Sequence, residues 1–423
     1  MKRNKFIPIF IAFLFFAVHG RAQKQVYMTI TAEGFQPIVI AVPPFETDLY
    51  TEFADEVRQV VISDLTLSGF FYVVTNEDQT VTVPDGNGVM EVPLKPAVRL
   101  DAQLEVRNRA FTVKARLSDV PSRQPIFTKQ YKEELPNKRQ LAHECADDIV
   151  SYLTGEKGIA QSKIAFVKQT ATGKEIAVMD YDGYGERLIT RNRSLNLSPA
   201  WSPSLDKLVY TSYQTGNPDL FVYAFGSGRE SKLSKSKSLN SAPAWSPDGK
   251  RIAFTLTTAG NADIWVMDAD GGRLRQLTNS LAIDSSPSWS PNGREIAFTS
   301  DRSGNPQIYI MNDDGTNVRR LTFDGKYNDS PAWSPKGDLI AFVTRTDEGF
   351  QICTVDINGE SFRQLTFSNG NNENPTWSPN GFKIAFSSNR SGGWDIYTMN
   401  RDGSQVRRVT VDGVNTSPKW SPR

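Results

Sequence analysis

The chain has 423 residues, of which 39% are apolar and 22% are charged, with 30 glycines and 24 prolines. This length allows two or three domains, and the glycine and proline content favours many turns. The 48 basic and 47 acidic side chains nearly cancel. That balance argues against a nucleic-acid-binding protein, because such a protein needs a basic face for phosphates.

Residues 1–22 have the pattern of a secretory signal peptide. Three basic residues precede an apolar run at positions 6–18, and small residues follow at positions 20 and 22. The run is shorter than the ~20 residues that a membrane-spanning helix needs, so we predict export and cleavage after Ala22 rather than a membrane anchor. Because residues 1–22 contain four basic and no acidic side chains, the mature chain would carry 44 basic and 47 acidic ones.

Residues 23–158 show strand and helix patterns that together predict a small α/β domain. Strands are expected at 26–31, 37–42, 70–74, 98–106, 110–117 and 126–131. A first helix is expected between Asp48, as its N-cap, and Gly69, and a second from Lys138 to Leu153. Thr154–Gln161 would link this domain to the next. This part of the sequence has no recognisable cofactor motif.

Residues 159–423 contain six copies of a unit of about 44 residues. Each copy has a Pro-x-Trp-Ser-Pro sequence, with its tryptophan at Trp201, Trp245, Trp289, Trp333, Trp377 or Trp420. An Ile-Ala-Phe segment, an Asp-Ile-Tyr-x-Met segment and a Leu-Thr pair recur at the same spacing, in these or similar forms. Four short β-prone segments per unit match the four-stranded blade of a β-propeller. We therefore predict a mainly β protein with a six-bladed propeller.

The order of the segments favours a closed ring over a solenoid or a sandwich. The first unit starts at its Ile-Ala-Phe segment, and the sixth tryptophan strand, Ser417–Pro422, comes last. We expect this C-terminal strand to complete the first blade, which would remove exposed sheet edges. A solenoid would instead need polar capping units.

The repeated polar motifs and the cysteines are interpreted as structural residues. The tryptophans should anchor blade packing. Asp180-x-Asp182-Gly183 resembles the start of a calcium loop but lacks the acidic residue at the twelfth position, so we interpret it as a turn. Cys145 and Cys353 are expected to be packing residues of different domains rather than a disulfide pair.

No arrangement of residues in the sequence predicts catalysis. His143 is the only histidine of the mature chain, and neither a Gly-x-Ser-x-Gly nor a His-Glu-x-x-His motif is present. We predict a non-enzymatic protein without cofactor or metal. A secreted peptidase-like or glycan-acting propeller stays open as the alternative, since the two carboxylates of a glycosidase can be far apart in the chain.

A binding face can be predicted from the topology of a propeller. In an up-and-down blade, the loops between blades share a face with the turns that join the second and third strands. On this face Arg191, Arg193, Lys235 and Lys237 form a basic side, and Asp284, Asp329, Glu373 and Asp412 make the other loops more acidic. We expect partners to bind at this channel mouth.

The sequence resembles the TolB family of periplasmic propeller proteins of the Tol–Pal system. The resemblance depends on the repeats, on Leu153-Thr154-Gly155, on Lys163-Ile164-Ala165-Phe166-Val167 and on Asp180-Tyr181-Asp182-Gly183-Tyr184. It depends also on the order of the parts: a signal peptide, a small α/β domain and six blades. This resemblance covers nearly the whole mature chain.

The resemblance implies a scaffold that supports outer-membrane integrity and cell division. It would bind the peptidoglycan-associated lipoprotein Pal through the propeller face and TolA through the segment after the signal peptide, with other outer-membrane proteins as further candidates. The matching propeller positions are Pro199, Asn240, Ala242, Asp284, Ser285, Asn328, Asp329, Asn372 and Glu373. The matching N-terminal positions are Gln25, Val26, Tyr27, Met28, Thr29 and Ile30. Alternation alone favours a fixed edge strand here, whereas the resemblance implies an exchangeable one.

Overall fold

The computed structural model describes residues 37–75, 80–85, 88–93, 95–107, 110–234, 238–367 and 370–423. It consists of a small α/β domain followed by a six-bladed β-propeller. The fold class expected from the repeat is therefore confirmed.

The N-terminal domain is a mixed sheet covered by two helices. Its strands are β1 (Ile38–Ala41), β2 (Phe71–Val74), β3 (Thr80–Asp85), β4 (Gly88–Pro93), β5 (Val98–Arg107), β6 (Ala110–Asp119) and β7 (Pro125–Glu134). Its helices are α1 (Thr51–Ser68) and α2 (Lys138–Thr154), and a 3₁₀ turn, Leu135–Asn137, precedes α2. The sheet order is β2-β1-β5-β6-β7, with β1 parallel to both neighbours, and β3 and β4 form a separate hairpin. Apolar residues of both helices and the sheet share one core, which includes Val61, Leu65, Ile149 and Leu100.

Two features of this domain differ from the sequence-based expectation. The N-cap of α1 is Tyr50, with no side-chain capping bond, so the prediction of Asp48 as the cap was wrong. The helix does end at Gly69, whose φ of +82° is favourable only for glycine. The β3–β4 hairpin was not predicted, and the strand expected at 26–31 lies outside the described residues.

Each blade is an antiparallel sheet of four strands. Blade 1 has β8 (Lys163–Gln169), β9 (Lys174–Asp180), β10 (Arg187–Leu188) and β31 (Asn415–Trp420); blade 2 has β11 (Asn196–Trp201), β12 (Lys207–Ser212), β13 (Asp219–Ala224) and β14 (Arg229–Lys232). Blade 3 has β15 (Leu239–Trp245), β16 (Arg251–Thr258), β17 (Asn261–Asp268) and β18 (Arg275–Gln276); blade 4 has β19 (Asp284–Trp289), β20 (Glu295–Ser300), β21 (Gln307–Asn312) and β22 (Arg319–Arg320). Blade 5 has β23 (Asn328–Trp333), β24 (Leu339–Thr346), β25 (Gly349–Asp356) and β26 (Arg363–Gln364); blade 6 has β27 (Asn372–Trp377), β28 (Lys383–Ser388), β29 (Asp395–Asn400) and β30 (Arg407–Arg408).

The ring closes through the last strand. β31 pairs antiparallel with β8, with Trp420 opposite Ile164. Ser421 Oγ accepts a hydrogen bond of 2.9 Å from the backbone N–H of Lys163. Within blade 6 the equivalent bond runs from the N–H of Lys383 to Ser378 Oγ, also at 2.9 Å. The closing strand thus reproduces the hydrogen bonding of an uninterrupted blade.

The repeated Leu-Thr pair has a structural role in each blade. In blade 4, Thr322 Oγ1 donates to Gln307 Oε1 at 2.8 Å and accepts from the N–H of Ile308 at 2.9 Å. In blade 5, Thr366 makes the same two bonds with Gln351 and Ile352, both at 2.8 Å. The threonine therefore fixes the start of the third strand, and its recurrence reflects blade construction.

The cysteines and the Asp-x-Asp-Gly motif are also structural. Cys145 and Cys353 are free and buried in different domains, and burial raises the pKa of each thiol to about 12. In the turn after β9, Asp182 Oδ1 accepts from the N–H of Tyr184 at 3.0 Å, and Gly183 has a φ of +99°. This segment is a turn, as the sequence predicts.

The two domains meet in a buried polar cluster. Asp64 Oδ1 of α1 accepts a hydrogen bond of 2.8 Å from the hydroxyl of Tyr181, which follows β9 of the propeller. Asp64 Oδ2 lies 2.7 Å from Nδ1 of His143 in α2. Burial raises the pKa of the Asp64 carboxyl and places that of Tyr181 well above its ordinary value. All three side chains are buried, so this cluster joins both helices to blade 1.

Candidate functional site

The propeller has two different faces. We call loop face the one formed by the loops between blades and by the turns that join the second and third strands of each blade. The N-terminal domain lies on the opposite side, which we call the domain face. There Asn380 Nδ2 donates to the carbonyl of Lys157 at 2.9 Å, and the rings of Phe70 and Phe382 have centroids 5.1 Å apart. The described contacts of the N-terminal domain therefore leave the loop face open.

The loop face exposes large apolar side chains in or beside every inter-blade loop. They are Leu195, Leu239, Leu281, Ile283, Phe323, Phe367, Val411 and Val414. Phe323 is 69% exposed and Phe367 is 64% exposed. Exposed apolar side chains that recur in all the loops of one face are what we interpret as a candidate protein-binding surface.

At one position of the repeat, which we call the slot, the residue type changes from blade to blade around this face. It is the residue directly after the Leu-Thr pair, and its occupants in blade order are Arg191, Lys235, Asn279, Phe323, Phe367 and Val411. The slot is basic in blades 1 and 2 and apolar in blades 4 to 6. The guanidinium of Arg320 lies 4.9 Å from the centroid of the Phe323 ring. The basic pair Lys235 and Lys237 falls outside the described residues.

Four of the predicted contact residues are fully buried. Asn240, Asp284, Asn328 and Asn372 occupy equivalent positions near the start of the inner strands. Asp284 accepts hydrogen bonds of 3.0 and 2.9 Å from Nη2 of Arg302. Asn328 Nδ2 donates to Gln307 of the preceding blade at 2.8 Å. The hydrogen bonds of these buried side chains stabilise the loops that precede the inner strands.

The remaining predicted positions lie at a bulge of the inner strands. Ala242, Ser285, Asp329 and Glu373 are half-buried, whereas Pro199 is buried. In all six inner strands the pairing register shifts here, and one residue has a positive φ: Ser198, Ala242, Ser286, Ser330, Asn374 and Ser417. A bulge re-aims the adjacent side chains. The predicted residues Gln25, Val26, Tyr27, Met28, Thr29 and Ile30 lie outside the described part of the chain.

Two acidic residues of neighbouring blades interact near this mouth. Asp329 Oδ1 accepts from Thr299 Oγ1 at 2.8 Å, and its Oδ2 accepts from the hydroxyl of Tyr327 at 3.2 Å. Burial, and then the charge of Asp329, raise the pKa of Glu373. Burial and the same charge raise the pKa of Tyr327 to about 12. Two carboxylates of blades 5 and 6 therefore interact electrostatically near the mouth.

The described residues offer no arrangement for metal or triad chemistry. They contain no group of three or more potential metal ligands. His143 is buried against Asp64 at the domain interface rather than in an open cleft. The loop face instead combines exposed apolar and polar side chains of the kinds found in protein–protein interfaces.

Two family models match the sequence. One, described as the TolB beta propeller domain, matches residues 150–382 and 330–423. The other, described as the TolB amino-terminal domain, matches residues 26–126.

The chain belongs to the TolB family.

Named relatives agree with this assignment. The Tol-Pal system protein TolB of Dinoroseobacter shibae is 36% identical over 252 residues, which cover 54% of this chain and 55% of the relative. The protein of the same name from Desulfosudis oleivorans is 36% identical over 208 residues, covering 46% and 47%. The chain thus spans about half the length of the curated relatives it matches. The crystal structure of TolB from Acinetobacter baumannii has a TM-score of 0.80 at 28% identity, covering 92% of this chain and 97% of that one.

The exposed apolar residues of the loop face are the part of this candidate site that sequence reasoning missed. Sequence reasoning selected the same loops by their charged residues and by the family resemblance, and it did not consider their exposed apolar residues. The signal was available, because Phe323, Phe367 and Val411 follow the Leu-Thr pair at a constant spacing of 44 residues. Within the part of the chain that the structure describes, no helix is long and apolar enough to cross a membrane.

Proposed function

We propose that this protein is a non-enzymatic periplasmic scaffold of the Tol–Pal system whose loop face binds the lipoprotein Pal. The observation that carries the proposal is the set of exposed apolar side chains on the loop face, opposite the N-terminal domain. The names of the relatives, Tol-Pal system protein TolB, support the choice of system.

Exposed apolar residues are expected to contribute most of the binding energy of the proposed interface. Phe323 and Phe367 are the largest exposed side chains on the face, and aromatic residues are common among those that dominate binding energy. Asp329 and Glu373 lie on the inner strands of blades 5 and 6, where they favour a partner with a basic projection. The basic Arg191 and Arg193 lie in the loop after blade 1, on another sector of the face.

The nine propeller positions fall into two roles under this proposal. Ala242, Ser285, Asp329 and Glu373 are accessible enough to contact the partner, whereas Pro199 is buried. The buried side chains hold the loops in position; they are Asn240, Asp284, Asn328 and Asn372. These buried side chains would therefore affect partner binding indirectly, through the conformation of the loops.

The second partner, TolA, is assigned to residues 25–30 by the same proposal. This segment precedes β1 and has the alternating pattern of a strand that can add to a sheet edge. Together the two contacts would connect outer-membrane and inner-membrane components in support of envelope integrity and cell division. Deletion of residues 23–31 should abolish TolA binding while the propeller stays folded; retained TolA binding would contradict this assignment.

The central experiment changes the apolar centre of the loop face. Phe323→Asp with Phe367→Asp should weaken Pal binding by at least about tenfold in calorimetric titration, because desolvated aromatic contacts are replaced by charge. Leu274→Asp is the matched control: Leu274 is 48% exposed, but it lies just before β18 near the domain face. Unchanged affinity in the double variant, with a normal melting curve, would overturn the proposed interface.

A further inference from the structure

The central channel contains a cavity whose charged lining side chains are all basic. It has a volume of about 360 Å³ and is lined by the Trp-Ser-Pro segments and by the residue that precedes each tryptophan. Among its described lining residues are Lys157, Lys419 and Arg423, and no aspartate or glutamate. A cavity lined by several basic side chains and by no acidic side chain is a candidate anion site.

Lys419 is the unusual residue of this cavity. The position before the tryptophan is occupied in chain order by Ala200, Ala244, Ser288, Ala332, Thr376 and Lys419. Five inner strands therefore place small side chains on the channel wall. The sixth inner strand, β31, adds the long side chain of Lys419 to the lining of the cavity that these small residues leave. Desolvation by the surrounding channel lowers the pKa of Lys419, and no carboxylate among the described residues offsets it. Lys419 is half-buried. An ammonium that loses part of its hydration without gaining a partner is less stable, so an anion beside it would be stabilised.

The other two cations differ in how they are held. Arg423 is paired with Asp147, with Nη2 3.2 Å from Oδ2, and it also donates from Nη1 to the carbonyl of Gly158 at 2.9 Å. Lys157 is exposed at the domain-face end of the cavity, and no ion pair is described for it. Lys157 and Lys419 are therefore the cations with free charge.

Hydroxyl groups complete the polar lining. Thr376 Oγ1 accepts from the N–H of Trp420 at 3.3 Å, and Ser288 Oγ accepts from the N–H of Trp333 at 3.0 Å. Each hydroxyl hydrogen can still point into the cavity, since an oxygen that accepts one bond keeps its own donor. Thr376 belongs to β27, the inner strand next to β31, so its donor is close to the strand of Lys419.

We propose that this cavity binds a small multivalent oxyanion, with Lys419 as its principal ligand and Lys157 at its entrance. We place the entrance at the domain face because Lys157 is exposed there, whereas Asp329 and Glu373 lie on the loop face. Binding is independent of which protein docks on the loop face. Inorganic phosphate is the probe, because its charge and three-dimensional arrangement of acceptors match an ammonium with neighbouring hydroxyls.

The test compares phosphate with chloride at equal ionic strength, on the full mature chain. Phosphate should bind the wild type at one site in calorimetric titration and raise its melting temperature by at least about 2 °C at saturation. Lys419→Met keeps the length of the side chain without its charge, and Lys419→Ala restores the small residue of the sister copies; both should bind phosphate at least about tenfold more weakly. Both should also melt no lower than the wild type in chloride, because an unpaired ammonium has been removed.

The matched control is Lys250→Ala, a lysine of the exposed turn before β16. It should leave phosphate binding unchanged, whereas Lys157→Ala should weaken binding by a smaller factor than the Lys419 variants. Equal phosphate binding by wild type and Lys419→Met, or no binding by wild type, would overturn the site. Acetate, with a single charge, should bind more weakly than phosphate; equal affinity would contradict the assignment to multivalent anions.

Discussion

The hydroxyl of Tyr181 donates to the carboxylate of Asp64 across the boundary between propeller and N-terminal domain, at 2.8 Å. The same carboxylate lies 2.7 Å from the His143 imidazole, so one acidic group serves partners on two other elements. Because burial raises the pKa of Asp64, the ionised carboxylate is tolerated here only through these bonds. The cluster therefore connects both helices of the N-terminal domain to the propeller.

Asp64→Ala should destabilise the protein by about 1–3 kcal/mol, since it leaves the buried Tyr181 hydroxyl and His143 without their acceptor. Asp64→Asn keeps an acceptor for Tyr181 and should lose less. Denaturant unfolding measures the difference, with Asp55→Ala as the control on the exposed side of the same helix. A smaller loss in the alanine variant than in the asparagine variant would show that the cluster does not join the domains.

Removal of residues 415–423 should prevent formation of a stable ring, because β8 then loses its β31 partner and exposes an edge. Light scattering and thermal unfolding should report aggregation or a loss of cooperative melting. Ser421→Ala removes only the bond from Lys163 and should cost about 1 kcal/mol. A shortened chain that melts cooperatively at the full-length temperature is incompatible with closure by β31.

Asn328→Ala should lower the free energy of unfolding by about 1–3 kcal/mol, because Asn328 is fully buried and donates to Gln307 and to the carbonyl of Asp324. Ser285→Ala, at a half-buried loop-face position, should change it by less than about 0.5 kcal/mol. Urea titration of both variants makes the comparison. Equal free energies of unfolding for the two variants would contradict the structural role assigned to the Asn328 side chain.

Glu373→Gln should not destabilise the protein at pH 7.5 and should stabilise it by less than about 1 kcal/mol, because it removes a charge beside Asp329. The folded-state pKa of Glu373 is raised above its ordinary value of 4.5. Its favourable contribution is therefore fully present below pH 4.5 and is lost as the pH rises through the folded-state pKa. The advantage of the variant should shrink as the pH falls from 7.5 to 4, as measured by urea unfolding at each pH. An advantage that grows on acidification would contradict the pKa direction.

The blades could be predicted from the sequence because every strand is marked by the same residues at the same interval. The Trp-Ser-Pro and Leu-Thr segments make local bonds, such as that from Thr322 to Gln307 and Ile308, so their meaning does not depend on distant parts of the chain. The closing strand was predictable for the same reason. Ser421 repeats a bond that Ser378 makes within its own blade.

The site was less predictable because burial in the loops depends on the neighbouring blade. Asn328 and Asp329 are adjacent and both polar, yet the first is fully buried against Gln307 and the second is half-buried at the mouth. The bulge with positive φ at Ser330 separates their environments. Period-two alternation cannot reveal such a bulge, and the first helix likewise began at Thr51 without the Asp48 cap that its sequence suggested.

The partnership of β31 with β8 also sets an order of events in the life of the chain. Lys163 and Ser421, whose bond completes the first blade, are 258 residues apart. During synthesis β8 is made early, and its edge stays unpaired until β31 has been made. Blades 2 to 6 can assemble from local segments in that interval, but the ring gains its full cooperativity only at the end. The first blade, whose strand β8 is made first, is thus the last blade to be completed. A chain that stops short of β31 leaves the edge of β8 exposed.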